Sequence, residues 1–222
     1  IIILDILTKK VDVRDFSEYD EVRNLAVNKS VVFVLANGIQ SFDLEDNSEI
    51  KEVRNLGDSN RNATFINSYD RFVYVLSPDK RNIYRYSKDD AGYSDPIGWM
   101  TSATGLKYNE ITSFSVDGDI WFSTVDGQIK KFSGGKEDNF EIRGLNEEFS
   151  SSIKVFTNSG QENIYVLEAD QNRVVILSKS GEFKREIKSV SLSTVGAIAV
   201  SEELGKIFAM SGSIVFEIDL VE

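Results

Sequence analysis

The sequence predicts an all-β fold, a β-propeller of four-stranded antiparallel blades, and three observations carry that prediction. A strand-like segment recurs five times in the 222 residues: VVFVL (31–35), FVYVL (72–76), DIWFS (119–123), NIYVL (163–167) and KIFAM (206–210). Each centres on an aromatic residue flanked by aliphatic or β-branched neighbours, the composition of a buried strand. The aromatics Phe33, Tyr74, Trp121, Tyr165 and Phe208 lie 41, 47, 44 and 43 residues apart, a repeat of about 44. After each comes a short polar turn and a second apolar strand: 39–42, 83–86, 129–132, 174–177 and 215–218. Four antiparallel strands in about 44 residues is the arithmetic of a propeller blade.

The elements follow in order. Innermost strands are expected at 24–27, 63–67, 111–116, 152–157 and 197–200, before each aromatic strand. More polar outer strands are expected at 49–53, 140–143 and 183–188. Asn37-Gly38, Asp126-Gly127 and Ser211-Gly212 supply the residues that tolerate positive φ in tight hairpins. Ser17, Asp20, Val22, Leu25 and Ala26 also fit a capped amphipathic helix. The repeat register instead places Leu25 to Val27 on an inner strand.

The chain ends bear on ring closure. Leu4-Asp5-Ile6 and Ile218-Asp219-Leu220 share the form of Phe42-Asp43-Leu44, which ends a third strand. The N-terminus is therefore expected to start inside a blade, with an outer strand at 11–14, and the C-terminus to supply three strands of the same composite blade. That count favours five blades, with six as the alternative, and leaves one strand too many. Residues 11–14 are expected beside 215–220, directly or through 1–6. Two prolines and no Gly/Ser-rich linker make residues 1–222 a single domain. A first residue of Ile suggests excision from a longer chain.

Composition excludes several function classes. With no His and no Cys, the chain can build neither a Ser-His-Asp nor a Cys-His nucleophile pair, nor a His- or Cys-ligated metal centre. Its 36 acidic and 25 basic residues give a net charge of −11, which repels nucleic acid and anionic lipid. No apolar run reaches the 18 or more residues of a membrane-spanning helix, so no direct insertion of that kind is expected. The absence of Cys fits either side of a membrane, and the reading leans to an extracytoplasmic part of a larger protein.

The best-defined repeat, NIYVLEADQNRVVILSKSGEF at 163–183, resembles the NHL type of propeller repeat within the six-bladed TolB-like group. The matching positions are Ala169-Asp170, Asn172-Arg173-Val174 and Ser180-Gly181, with a fainter version from Pro78-Asp79 to Ile83. The resemblance implies that the Asp and Asn-Arg positions tie the hairpin to neighbouring backbone. NHL-type lyases rely on a His-ligated zinc, which this chain cannot hold. WD40 repeats are set aside because neither Trp99 nor Trp121 precedes Asp, and kelch repeats because Gly134-Gly135 is the one Gly doublet. Residues 115–121, SVDGDIW, have the adjacent Asp and Gly of a β-turn and lack the spacing of a sialidase Asp-box.

Two site hypotheses remain. Oxygen ligands for a hard divalent cation are available in Asn67, Glu110, Asp117 and Asn158, the alternative being a lactonase-like hydrolase with its site in the central channel. None of these recurs at a spacing that defines a cage. The stretch 91–108 collects Tyr93, Trp99 and Tyr108 in the longest inter-strand region, where a partner could be contacted. The competing reading makes Ile97 to Met100 an outer strand, with Trp99 packed on the next blade. The expectation is a monomeric, non-catalytic scaffold presenting loops to a protein, peptide or glycan, with no cofactor, metal or catalytic residue.

Overall fold

The computed structural model describes residues 1–19, 21–45, 49–55, 62–101 and 105–220. Strands β1 (Ile2–Leu4) and β2 (Val11–Val13) pair with each other as a separate hairpin. Five antiparallel sheets then follow as propeller blades. The first holds β3 (Asn24–Asn28), β4 (Val31–Leu35), β5 (Gly38–Asp43) and β6 (Lys51–Asn55). The second is β7 (Phe65–Tyr69), β8 (Phe72–Ser77) and β9 (Asn82–Asp89), with β10 (Gly92–Tyr93) and β11 (Ile97–Gly98) both on β9. The third is β12 (Ile111–Val116), β13 (Ile120–Thr124), β14 (Ile129–Ser133) and β15 (Lys136–Asp138). The fourth is β16 (Lys154–Phe156), β17 (Asn163–Glu168), β18 (Arg173–Ser178) and β19 (Phe183–Lys188), and the fifth β20 (Ala197–Ser201), β21 (Lys206–Ser211) and β22 (Ile214–Asp219).

The five repeat aromatics all fall on the second strand of their blades, and alternation turns each toward the following sheet. Phe33 packs with Ile66, Val73 and Val75 of the second blade, and Tyr74 with Phe114, Ile120 and Phe122 of the third. Trp121 packs with Ile164, Val166 and Val175 of the fourth, and Tyr165 with Val200, Ile207 and Ala209 of the fifth. Those four are 1–4% exposed. Phe208, at the equivalent position in the fifth blade, stays half-buried, since no sheet among the described residues packs on it. Phe208→Ala should therefore cost only about 1 kcal/mol, in line with partial loss of apolar burial. A urea melt of that variant compared with one of Tyr165→Ala checks the contrast.

Polar staples join the inner strands. Asn24 Oδ1 accepts from the Ile66 amide (3.1 Å), and Asn67 Nδ2 donates to the Phe114 carbonyl (3.1 Å). Ser115 Oγ donates to the Val155 carbonyl (3.1 Å) and Gln161 Nε2 to the Val200 carbonyl (2.6 Å). Each satisfies a backbone group that blade packing would otherwise bury unpaired.

Two expectations are corrected and one is refined. Residues 140–143 are not the outer strand of the third blade, because Gly134 and Gly135, both at positive φ (56° and 83°), turn the chain back at once into β15. Phe140 instead lays its ring edge on Trp121, centroids 5.1 Å apart. The outer strand of the second blade is split in two: β10 pairs with Lys88 and Asp89, β11 with Tyr84 and Arg85, and Pro96 lies between them. Finally, the chain ends meet without a shared ladder. Among the described residues no strand bond joins β22 to β1 or β2, and the hairpin reaches β22 through Lys9 Nζ and Glu217 Oε1 at 3.3 Å. The reason is local. β1 satisfies one edge on β2, and Ile1 and Ile3 seat on Phe16 and on Val32, Val34 and Phe42 of the first blade.

Candidate partner-binding surfaces

The three aromatic contact candidates are not brought together. Tyr93 is half-buried on β10, its ring edge-on to Phe33 of the first blade with centroids 6.0 Å apart. Trp99 lies on the opposite face of the second blade, edge-on to Tyr74 with centroids 6.4 Å apart, and its amide donates to the Ile83 carbonyl. Tyr108 is 6% exposed and belongs to the core between the second and third blades, so it is a packing residue. The β-bonded segment Ile97–Gly98 and the position of Trp99 follow the outer-strand reading.

The oxygen-ligand candidates are dispersed and engaged. Asn67 is a blade staple, Glu110 pairs with Lys107 (3.0 Å), and Asn158 Oδ1 accepts from the Gly160 amide (2.8 Å). Asp117 is a junction. Its Oδ1 accepts from Trp121 Nε1 (2.9 Å) and the Asp119 amide (3.1 Å), while Oδ2 meets Lys179 of the fourth blade at 2.7 Å. Gly118, at φ 114°, completes that turn. Among the described residues no cluster of three or more acidic side chains is placed to hold a metal ion.

The fourth blade carries a buried ion pair that the repeat motif signalled. Asn172 adopts the left-handed conformation (φ 54°) and delivers Arg173 into β18. Arg173 Nε donates to Glu168 Oε2 at 2.7 Å, with Arg173 1% and Glu168 0% exposed. Its Nη2 donates to the Glu147 carbonyl (3.0 Å), and Glu168 Oε1 accepts from the Ser150 amide and hydroxyl (both 2.8 Å). The pair thus ties the blade to the segment entering it. Glu147 and Glu148 serve this tie through their backbone carbonyls, and the exposed Glu147 carboxylate also approaches Arg173 Nη1 at 3.6 Å.

A groove of about 510 Å³ lies between the fourth and fifth blades, lined by Tyr165, Lys184, Arg185, Glu202 and Leu220 among others. Glu202 Oε1 accepts from Tyr165 Oη (2.8 Å), the Asn163 amide (3.1 Å) and Asn163 Nδ2 (3.0 Å); Oε2 accepts from the Glu162 amide (2.7 Å). Sequence reading missed Glu202, because nothing in Ser201-Glu202-Glu203 distinguishes it from other surface acids. Burial pushes its carboxyl up, but these donors outweigh that and hold it below the ordinary 4.5. A carboxyl depressed on folding stabilises fully above its unfolded pKa and loses that contribution as pH falls through the folded value. Glu202→Gln should therefore flatten the fall in stability below pH of about 4.5, as read by urea melts across that range.

With this geometry in place, likeness to known proteins can be read. No family model matches the chain, and no curated protein sequence matches it. Solved structures do. Virginiamycin B lyase from Staphylococcus aureus, in a catalytically inactive His-to-Ala form with quinupristin, is 14% identical with a TM-score of 0.54, over 90% of this chain and 84% of that one. A chain of the nidogen/laminin complex is 12% identical with a TM-score of 0.59, over 85% and 72%. YCF48 bound to D1 peptide is 13% identical with a TM-score of 0.55, over 96% and 68%. The likeness is one of fold. The lyase loses activity with one histidine, a residue type this chain lacks.

Proposed function

We propose that the chain is a non-catalytic binding propeller that presents loops to a protein or peptide, with a glycan as the remaining ligand class. The observation that carries this reading is the employment of the acidic groups best suited to chemistry. Asp117, Glu168 and Glu202 each hold blades or loops together through a saturated set of donors. The likeness to propellers seen in complex with laminin or with D1 peptide supports it as an analogy of fold. We also assign the repeats to the NHL type, on the Asn172-Arg173 tie just described. The partly exposed Tyr93 and Trp99 are the contact residues of this reading; Tyr108 is not.

The test is reconstitution. A partner captured on the immobilised chain, identified and purified, should bind saturably in calorimetry, and Tyr93→Ser should weaken it by about tenfold, or about 1.4 kcal/mol. Calcium-dependent turnover of a lactone, with a calcium-induced rise in melting temperature, would replace this reading with the hydrolase one.

A further inference from the structure

Most bases of the fourth blade are already engaged. Arg173 pairs with Glu168 and Glu186, Lys188 with Glu186, and Lys179 with Asp117, while Lys154 Nζ donates to the Gly196 carbonyl. Lys184 and Arg185 differ. Among the described residues neither forms an ion pair, on a chain whose net charge is −11. The nearby acids are committed elsewhere. Glu182 meets Arg143 at 2.8 Å, and Glu186 meets Lys188 and Arg173 at 3.0 and 3.1 Å. Glu202, across the groove between the fourth and fifth blades, is held by Tyr165, Asn163 and the Glu162 amide.

β19 brings both cations to one place. Ile176 opposes Arg185 and Leu177 opposes Phe183, so Lys184 is the extra residue of a β-bulge. Strict alternation would send adjacent side chains to opposite faces, whereas here Lys184 and Arg185 both line the groove. Ile176 pairs with Arg185 on one side and with Tyr165 on the other, a row across β19, β18 and β17. A cationic rim therefore adjoins an apolar floor at one strand spacing, about 5 Å.

That floor is narrow. Tyr165, Ile176 and Leu220 are 2%, 5% and 7% exposed, and the groove of about 510 Å³ has the size of a small-molecule site. The preceding blades show what such a place accepts. A second ring stands edge-on to Phe33, Tyr74 and Trp121, supplied by Tyr93, Trp99 and Phe140 at interplanar angles of 87°, 84° and 84°. Among the described residues no second ring pairs with Tyr165. The cause lies within the chain. Residues 139–153 bring Phe140, Ile142, Leu145 and Phe149 to the interface between the third and fourth blades, whereas the shorter connection 189–196 brings Leu192 and Val195 to the next one.

We propose that this groove binds the C-terminal residue of a partner polypeptide, with its α-carboxylate between Lys184 and Arg185 and its large apolar side chain on Tyr165 and Ile176. This rests on the binding-module reading and names the part of the partner that is held. A C-terminal residue carries carboxylate and side chain on one carbon, which matches a cation set one strand spacing from an apolar floor. Arg185 offers the carboxylate a planar fork, and Lys184 a point charge. Glu162 and Glu202 on the other rim repel a run of acids, so a single terminal charge is favoured over an acidic tract.

The experiment uses the 222-residue chain and the dye-labelled peptide Gly-Ser-Gly-Ser-Phe, read by fluorescence anisotropy. A dissociation constant of about 100 µM is expected, and one about tenfold weaker for the same peptide ending in an amide. Arg185→Gln should weaken binding of the free acid about tenfold and Lys184→Gln about threefold. Melting temperatures should stay put, because neither side chain has a carboxylate partner to lose. Lys136→Gln removes the same charge from an exposed site on the third blade and should change nothing. The inference is overturned by equal binding of acid and amide, by no saturation up to about 1 mM, or by equal losses in Arg185→Gln and Lys136→Gln. Tighter binding of amidated Gly-Ser-Glu-Phe-Ser would give the groove to an internal acidic residue instead. Failure to bind once the natural residues beyond 222 are attached would give it to this chain's own following segment. A natural partner held equally well by the parent chain and by Arg185→Gln would overturn the groove while leaving the binding-module reading intact.

Discussion

Trp121→Ala is expected to lower the unfolding free energy by about 3–5 kcal/mol, the range for a large aromatic removed from a packed core. Trp121 is 1% exposed and sits against Ile164, Val166 and Val175 across the interface between the third and fourth blades. Its loss would leave a cavity there that rigid sheets cannot collapse. It would also remove the indole N–H from Asp117, leaving a carboxylate only 5% exposed to rely on Lys179 and the Asp119 amide. Trp121→Phe keeps most of the volume and loses the donor, so it should recover more than half of the deficit. Guanidinium unfolding of the three proteins measures both quantities. A parent-like midpoint for Trp121→Ala would show that the blade interface is not where the stability lies.

The second large effect is expected at the Glu168–Arg173 pair. Breaking a buried pair leaves an uncompensated charge, and Glu168→Ala should cost about 3–5 kcal/mol. Besides stranding the guanidinium, it would take the acceptor from the Ser150 amide and hydroxyl. Replacing both partners by apolar residues of similar size, Glu168→Leu with Arg173→Met, removes both buried charges together. The double variant should therefore be more stable than Glu168→Ala, with a coupling of about 2 kcal/mol in a double-mutant cycle. Urea melts of the parent, Glu168→Leu, Arg173→Met and the double variant complete that cycle. If the double variant is instead as unstable as the sum of the singles, the stabilisation resides in the Glu147 and Ser150 contacts.

The sequence showed more of the frame than of the surface. The aromatic period identified the second strand of all five blades, because a residue buried between sheets must be large, apolar and β-compatible in every repeat. Asn172-Arg173 identified the fourth-blade tie, because the left-handed turn and the buried guanidinium both require particular residue types. The outer strands were less legible. Lys136–Asp138 is short and polar, and 140–143, which looks more strand-like, owes its apolar residues to packing on Trp121 and its neighbours. Glu202 was invisible for a different reason. Its donors come from residues 162–165, about 40 positions away, and no local pattern reports such a meeting.

The chain alone thus determined the class of fold, the five recurring second strands and the direction each aromatic faces, since these follow from periodicity and from the two-residue alternation of a strand. The meeting of the ends was decided only in three dimensions. Leu4-Asp5-Ile6 and Ile218-Asp219-Leu220 share a local form, and local form specifies a third strand in each. Whether two third strands join one sheet depends on which apolar faces are already occupied. Ile1 and Ile3 find Val32 and Phe42, β1 finds β2, and no described sheet covers the face bearing Phe208, an outcome in which packing against nearby segments wins over a pairing of the two chain ends.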